Sequence, residues 1–241
     1  MLASQVTVLH GLGVPSERLA CLAVAGGLPL WPAEDDRVGD GDPERIVVLV
    51  GSVDPESLDN CWLRPFAAWI ELGILSDAAV LNKIALAASG VLVASFTTVT
   101  ANRLTLARDI VEAVGSRREI GSERRDDIEL AIHEAISNAL VHGNLQVESM
   151  KGLTMSALDR FSEDISRRIS DPDFANRRLD VSCELDAGGV TVEIADQGAG
   201  FIVVETDRCG PCGRGLDLIS GIAQSCQLLD GGRRIRMRFD L

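Results

Sequence analysis

Residues 129–144 read ELAIHEAISNALVHGN. Ile128, Ala131, Ile132, Ala135, Ile136, Ala139 and Leu140 recur at three- and four-residue steps, so the spacing predicts one amphipathic helix with a broad apolar stripe. Glu134, Asn138 and His142 stand four residues apart and line up along a neighbouring face. A carboxylate one turn before a carboxamide suits two tasks: taking a proton from a hydroxyl, and holding a hard cation through oxygen. On this stretch alone, a solvated helix face with an ordinary Asn is the simpler reading.

The sequence downstream adds to it. From Leu179 the apolar period becomes two: Val181, Cys183 and Leu185 alternate with polar residues, and Gly188-Gly189 turn the chain. Val190, Val192 and Ile194 then form the partner strand of a hairpin. Asp196 continues that parity, so it points to the buried face where the strand ends, and a carboxylate there needs a donor. Gln197-Gly198-Ala199-Gly200 come next, and two glycines at alternate positions let backbone approach a flat ligand closely. A calcium loop or a plain turn would look similar. Gly213-Arg214-Gly215 precede a helix through Leu216, Ile219, Ile222 and Ala223. Free N–H groups and the positive end of a helix dipole are a usual cradle for phosphate, and Arg214 can reach the same anion. Cys226 to Leu229 and Arg234 to Asp240 read as two last strands around Asp230-Gly231-Gly232, with Ile235, Met237 and Phe239 facing in. Arg234, Arg236 and Arg238 face out, as a solvated sheet face or an edge for an acidic partner.

Two more helices are expected in this half, one opening at Thr100 with Leu104, Ala107, Ile110, Val111 and Val114, and one over Met155, Leu158, Phe161, Ile165 and Ile169 that stops at Asp171-Pro172; the quoted helix itself starts at Ser122. Residues 1–94 have a different rhythm. Val6 to Leu9, Ile46 to Val50 and Gly90 to Phe96 are short apolar strands of the kind covered on both faces. Glu17 to Ala25, Ser57 to Leu72 and Ser76 to Ala88 are helical in composition, and Trp31 to Pro43 is loop. The fold class expected is therefore α/β, as two domains: a small α/β layer over 1–94 and a two-layer α/β sandwich over 95–241.

Composition narrows the function. Of 241 residues 46 % are hydrophobic and the net charge is −13; residues 1–94 carry 12 acids and 5 bases, the rest 24 and 18. So acidic a chain argues against nucleic acid as the main partner and for a cytoplasmic protein. The longest apolar stretch, Ile84 to Phe96, has 13 residues and contains Ser89 and Gly90, whereas a membrane span needs about 20. The start lacks the basic segment and cleavage-like site of a signal peptide. Six scattered cysteines do not make a disulfide scaffold, although Cys209-Gly-Pro-Cys212 has redox dithiol spacing inside a Gly-rich loop.

Taken in order, Glu134-x-x-x-Asn138, His142-Gly143, Asp196-x-Gly198-x-Gly200 and Gly213-x-Gly215 resemble the N box and the two glycine boxes of the superfamily shared by DNA gyrase, histidine kinases, the Hsp-type chaperone ATPase and mismatch-repair ATPases. The likeness covers about residues 95–241. The run HEAISNALVHGN, the helix after it and the last strand are similar to the bacterial anti-sigma-factor serine/threonine kinases. This resemblance implies a Bergerat ATP-binding fold, a mixed, mainly antiparallel sheet covered by helices, with ATP and Mg²⁺ as cofactors. Asn138 would hold the Mg²⁺, Asp196 would accept the adenine amino proton, and Gly198 and Gly200 would admit the ring. Phe201 to Arg214 would form a lid, with Gly213, Arg214 and Gly215 on the phosphates, and Glu134 would be the general base. Many relatives carry a Thr near the last hairpin, where this chain has Gly231-Gly232-Arg233-Arg234. Residues 1–94 resemble a bacterial receiver, a flavodoxin-like domain, in size and rhythm only. His10-Gly11 stand in place of the acidic residues after the first strand, and Gly51-Ser52 in place of the phospho-accepting Asp.

Three functions are compatible with these residues. The first is a serine/threonine kinase that phosphorylates a regulatory partner of the sigma-factor or anti-sigma-antagonist type; Glu134 favours it. The second is a phosphorelay ATP domain acting on a separate protein, because His10, His133 and His142 are the whole histidine set and none lies on an upstream dimerising helix. The third is an ATP-dependent binding module without phosphotransfer, which the altered hairpin favours. A homodimer is compatible with all three.

Overall fold

Five consecutive aliphatic residues, Ile46 to Val50, can be stable only where both faces of a sheet are covered, and each is at most 3 % exposed. They form β2 (Arg45–Val50), which lies parallel to β1 (Thr7–Leu12) and β3 (Phe66–Glu71), and β3 lies parallel to β4 (Leu92–Thr97). The computed structural model describes residues 7–31, 45–51, 58, 61–149, 152, 154–200 and 214–241. It divides into two compact units, Met1–Ser95 and Phe96–Leu241.

In the first unit, parallel strands laid side by side in chain order need right-handed crossovers, which place their helices on one face. Helices α1 (Ser16–Gly26) and α2 (Asp77–Ala88) do pack together there. Leu22, Ala23, Val80, Ile84 and Ala87 cover Leu9, Val47, Leu49, Ala68, Ile70 and Val93. The order β1-β2-β3-β4 departs from the 2-1-3-4-5 order of receiver and flavodoxin folds. The helix expected over Ser57 to Leu72 is also corrected, because Phe66–Glu71 is a strand. Pro65 bars a continuous helix, and the apolar run behind it gains more by burial between β2 and β4 than its helix propensity offers.

The second unit is a helix layer on a sheet. Strands β5 (Arg178–Asp186), β6 (Gly189–Ala195), β7 (Ser225–Leu229) and β8 (Arg234–Asp240) pair antiparallel in the order β5-β6-β8-β7. Their period of two buries Leu179, Val181, Cys183, Val190, Val192, Ile194, Ile235, Met237 and Phe239. The outward arginines are paired: Arg234 with Asp230 and Glu193, Arg236 with Glu193, and Arg238 with Asp186. These pairs sit on a half-wet sheet face, where solvent screens them, so they mainly pin register.

Helix α3 (Thr98–Ala101), α4 (Leu106–Gly115) and α5 (Ser122–Ser137) precede the sheet. The single helix expected from Thr100 is thus two, broken at Thr105, whose hydroxyl turns to Asp109. α5 packs against both α4 and α8 (Arg214–Ile222). Arg124 at its start donates to the Ile222 and Asp240 carbonyls. α6 (Met155–Ile169), capped by Thr154, and α7 (Pro172–Ala175), capped by Asp171, complete the unit. Among the described residues no helix is long and apolar enough to cross a membrane.

Candidate functional site

The stretch 129–144 is not one uniform helix. α5 ends at Ser137, and Asn138–Asn144 wind as a π-turn, in which the Leu145 N–H donates to the Leu140 carbonyl at 2.8 Å. A π-turn fits one extra residue into the helix and re-aims the residues after it. At its start, Asn138 Nδ2 donates to Glu134 Oε1 at 3.1 Å, so the two are held as a pair. That bond occupies the amide nitrogen and leaves the Asn138 carbonyl oxygen for another ligand. Near its end, the widened turn brings Gly143 against Asp196, where a Cβ on Gly143 would lie 2.5 Å from the carboxyl carbon. His142 Nδ1 lies 2.7 Å from the Val147 carbonyl oxygen, and Gln146 between them adopts a φ of 54°. A non-glycine residue there costs about 1 kcal/mol or more, and such strain gathers at functional walls.

Asp196 comes directly after the last residue of β6. Its N–H donates to the Arg233 carbonyl at 2.9 Å, which ties it to the start of β8. Its Oδ1 accepts from the Gly198 N–H at 2.7 Å, and among the described residues nothing donates to Oδ2. Burial pushes the Asp196 carboxyl above its ordinary pKa, against the Gly198 hydrogen bond and the charges of Arg233 and Arg177. Gly198 packs on the Gly143 backbone, and a Cβ on Gly198 would sit 2.5 Å from the Gly143 carbonyl carbon. Gly200, at a φ of 77°, lies against Gly231 and the Arg233 stem.

These groups wall one cavity of about 590 Å³ within the second unit, together with Ala139, Ile194, Leu216, Leu228 and Ile235. Gly215 at the start of α8 closes the Glu134–Asn138 end, where a Cβ would lie 2.9 Å from the Glu134 carboxyl carbon and 3.2 Å from Asn138 Nδ2. Glu134, Asn138, Asp196, Gly200 and Gly215 therefore line one space, and Gly198 backs it. Gly213, the lid from Phe201 onward and the Cys209–Cys212 pair lie outside the described residues, as does the Arg214 side chain. His133 is on the exposed side of α5.

Sequence reasoning missed Asn144, Gln197 and Arg177. Asn144 is fully buried and bonded through its side chain to Arg178 and Gln197, and Arg177 donates to its carbonyl at 2.7 Å. The only available signal was a polar residue ending an apolar helix, which reads as a helix end.

The cavity wall is mainly apolar and carries the Asp196 carboxylate and, beside the start of α8, the Glu134–Asn138 carboxylate–carboxamide pair, with Arg233 and Arg234 also on its lining. It suits a flat ring carrying an amino donor, joined to an anionic tail. The histidine kinase-like ATPase domain family model matches residues 97–239. No curated protein matches the chain.

Proposed function

This chain belongs to the histidine kinase-like ATPase domain family, and from that premise we propose that it is a Mg-ATP-dependent serine/threonine kinase acting on a regulatory partner of the sigma-factor or anti-sigma-antagonist type. ATP binding follows from the family; the transfer and its acceptor are the proposal. The observation that carries it is the Glu134–Asn138 pair at the wall against which Gly215 begins α8.

The adenine would lie between Gly143, Gly200 and the apolar wall, with its amino group donating to Asp196. The phosphates would reach the start of α8, where Gly215 packs against the Glu134–Asn138 pair and the helix dipole favours an anion. Among the described residues no three His, Cys, Asp or Glu side chains could together hold a metal. Mg²⁺ is commonly held by one or two protein oxygens plus substrate phosphates. Asn138 Oδ1 would be the protein ligand. Bound there, Mg²⁺ would neutralise charge on the phosphates. Glu134, oriented by the Asn138 amide, would take the proton of an incoming serine or threonine hydroxyl. The hydroxyl oxygen then bonds to the γ-phosphorus while the bond from that phosphorus to the β–γ bridging oxygen breaks, and ADP leaves.

Incubation with radiolabelled ATP and candidate partners is expected to label serine or threonine on one of them. Nucleotide binding without any label would favour a second function, a binding module in which ATP sets shape and no phosphate moves. The β7–β8 turn supports that alternative: Arg234 there is occupied by Asp230 and Glu193.

A pH profile tests Asp196. Its folded pKa is raised, so the ionised form costs stability above the unfolded pKa, and this cost fades on acidification. Binding has the opposite sign, because an amino donor needs the ionised acceptor. Adenine-nucleotide affinity is expected to fall as pH drops through the raised pKa, at a higher pH than an ordinary Asp would give. Asp196→Asn should bind more weakly and lack that step. The same step persisting in Asp196→Asn would assign it to another group.

A further inference from the structure

We infer that Asn144 and Gln197 are positioning residues for base recognition: the Asn144 carboxamide replaces a rung of the β5–β6 ladder and thereby sets where Asp196 stands. The ladder pairs Asp180 with Ala195 as its last rung. Continued two residues further, that register would set Arg178 opposite Gln197. Instead Asn144 lies between them. Its Nδ2 donates to the Arg178 carbonyl at 3.0 Å, and its Oδ1 accepts from the Gln197 N–H at 2.8 Å. A side-chain amide carries the same donor and acceptor as a peptide group, so it satisfies both strands while holding them one carboxamide apart. Gln197 completes the ring, its Oε1 accepting from the Arg178 N–H at 2.8 Å.

Asn144 is 0 % exposed, so a polar group left unmatched there is costly. It is also the last residue of the π-turn that carries Gly143 against Asp196. Two adjacent residues of the turn thus meet two adjacent residues of the loop, Gly143 with Asp196 and Asn144 with Gln197. Arg177 fixes the far side by donating to the Asn144 carbonyl, while Thr98 holds the Arg177 carbonyl through its N–H at 2.7 Å and its hydroxyl at 2.9 Å. Without the carboxamide, the loop is free to close directly on β5 and draw Asp196 away from Gly143.

This inference rests on Asp196 being the acceptor for the adenine amino group. Its test compares affinity for ATP and for inosine triphosphate, whose base has a carbonyl where adenine has the amino group. Wild-type protein should prefer ATP. Asn144→Ala should bind ATP roughly tenfold more weakly, with the ATP-to-inosine-triphosphate ratio falling towards one. Gln197→Ala should shift the ratio the same way, while Gln197→Glu, which keeps the acceptor for Arg178, should restore it. A purely structural role would lower the melting temperature and both affinities together and leave the ratio unchanged. An unchanged ratio in folded Asn144→Ala, or in Gln197→Ala if Asn144→Ala does not fold, overturns the inference alone. Failure of the wild type to prefer ATP overturns the reading of Asp196, and this inference with it.

Discussion

Asn138→Ala is expected to abolish Mg-ATP binding, whereas Glu134→Ala keeps binding and loses phosphotransfer. The two side chains are 3.1 Å apart and share one wall, yet their chemistry separates them. Asn138 offers a neutral carbonyl oxygen to a hard cation. Its loss removes the proposed protein ligand, which should weaken Mg-ATP by at least about a hundredfold, since even indirect partners of metal ligands are worth about 10–100-fold. Glu134 contributes to the nucleotide complex only by accepting from the Asn138 amide, so truncating it leaves the oxygen ligand in place. Removing a general base costs roughly 10²–10⁴ in rate. Glu134→Gln is the sharper variant, because it still accepts from Asn138 but cannot take a proton. Calorimetric titration with Mg-ATP beside a transfer assay separates the two residues. Equal loss of binding in both alanine variants would falsify the role given to Glu134.

Gly198→Ala and Gly143→Ala should lose adenine-nucleotide binding and destabilise the second unit. A Cβ on Gly198 would meet the Gly143 carbonyl carbon at 2.5 Å, which is backbone against backbone with no side chain to swing aside. The loop must open by on the order of 1 Å to restore contact distance, and overpacking of this kind costs about 1–3 kcal/mol. A Cβ on Gly143 would lie 2.5–2.7 Å from all three atoms of the Asp196 carboxyl and would displace that group directly. Gly221→Ala is the control. It lies in α8 with nothing within 4 Å of its Cβ, so it should be neutral or stabilising by up to about 1 kcal/mol. Thermal melts with and without nucleotide read both effects. Unaltered nucleotide affinity in Gly198→Ala would show that Asp196 does not depend on this close approach.

Much of the second unit was legible in the sequence because its elements are strongly periodic. Val181 and Cys183, Val190 to Ile194, and Ile235 to Phe239 alternate cleanly, and the alternation assigned both strand and buried face. Local pattern misled where tertiary burial overrode it: Phe66–Glu71 became a strand at Pro65, and the helix expected from Thr100 broke at Thr105. In the first unit, strand lengths and rhythm suggested a receiver, but neighbour order is no property of a short apolar run. The four strands lie in chain order.

Periodicity within single segments was enough for the α/β character of the chain and for the four-residue spacing that stacks Glu134 and Asn138. It also set the alternation that carries Asp196 to the end of a buried strand. Each segment states these properties on its own, whatever packs against it. Packing in three dimensions was needed to bring Glu134 and Asn138 to one wall with Gly215, and to stand Asp196 against Gly143. Packing also put the Asn144 carboxamide where a ladder rung would be. The physical reason is the π-turn at Asn138–Asn144. Its single-residue widening is held by partly buried hydrogen bonds to partners 33 and 53 residues along the chain, and no local spacing records them.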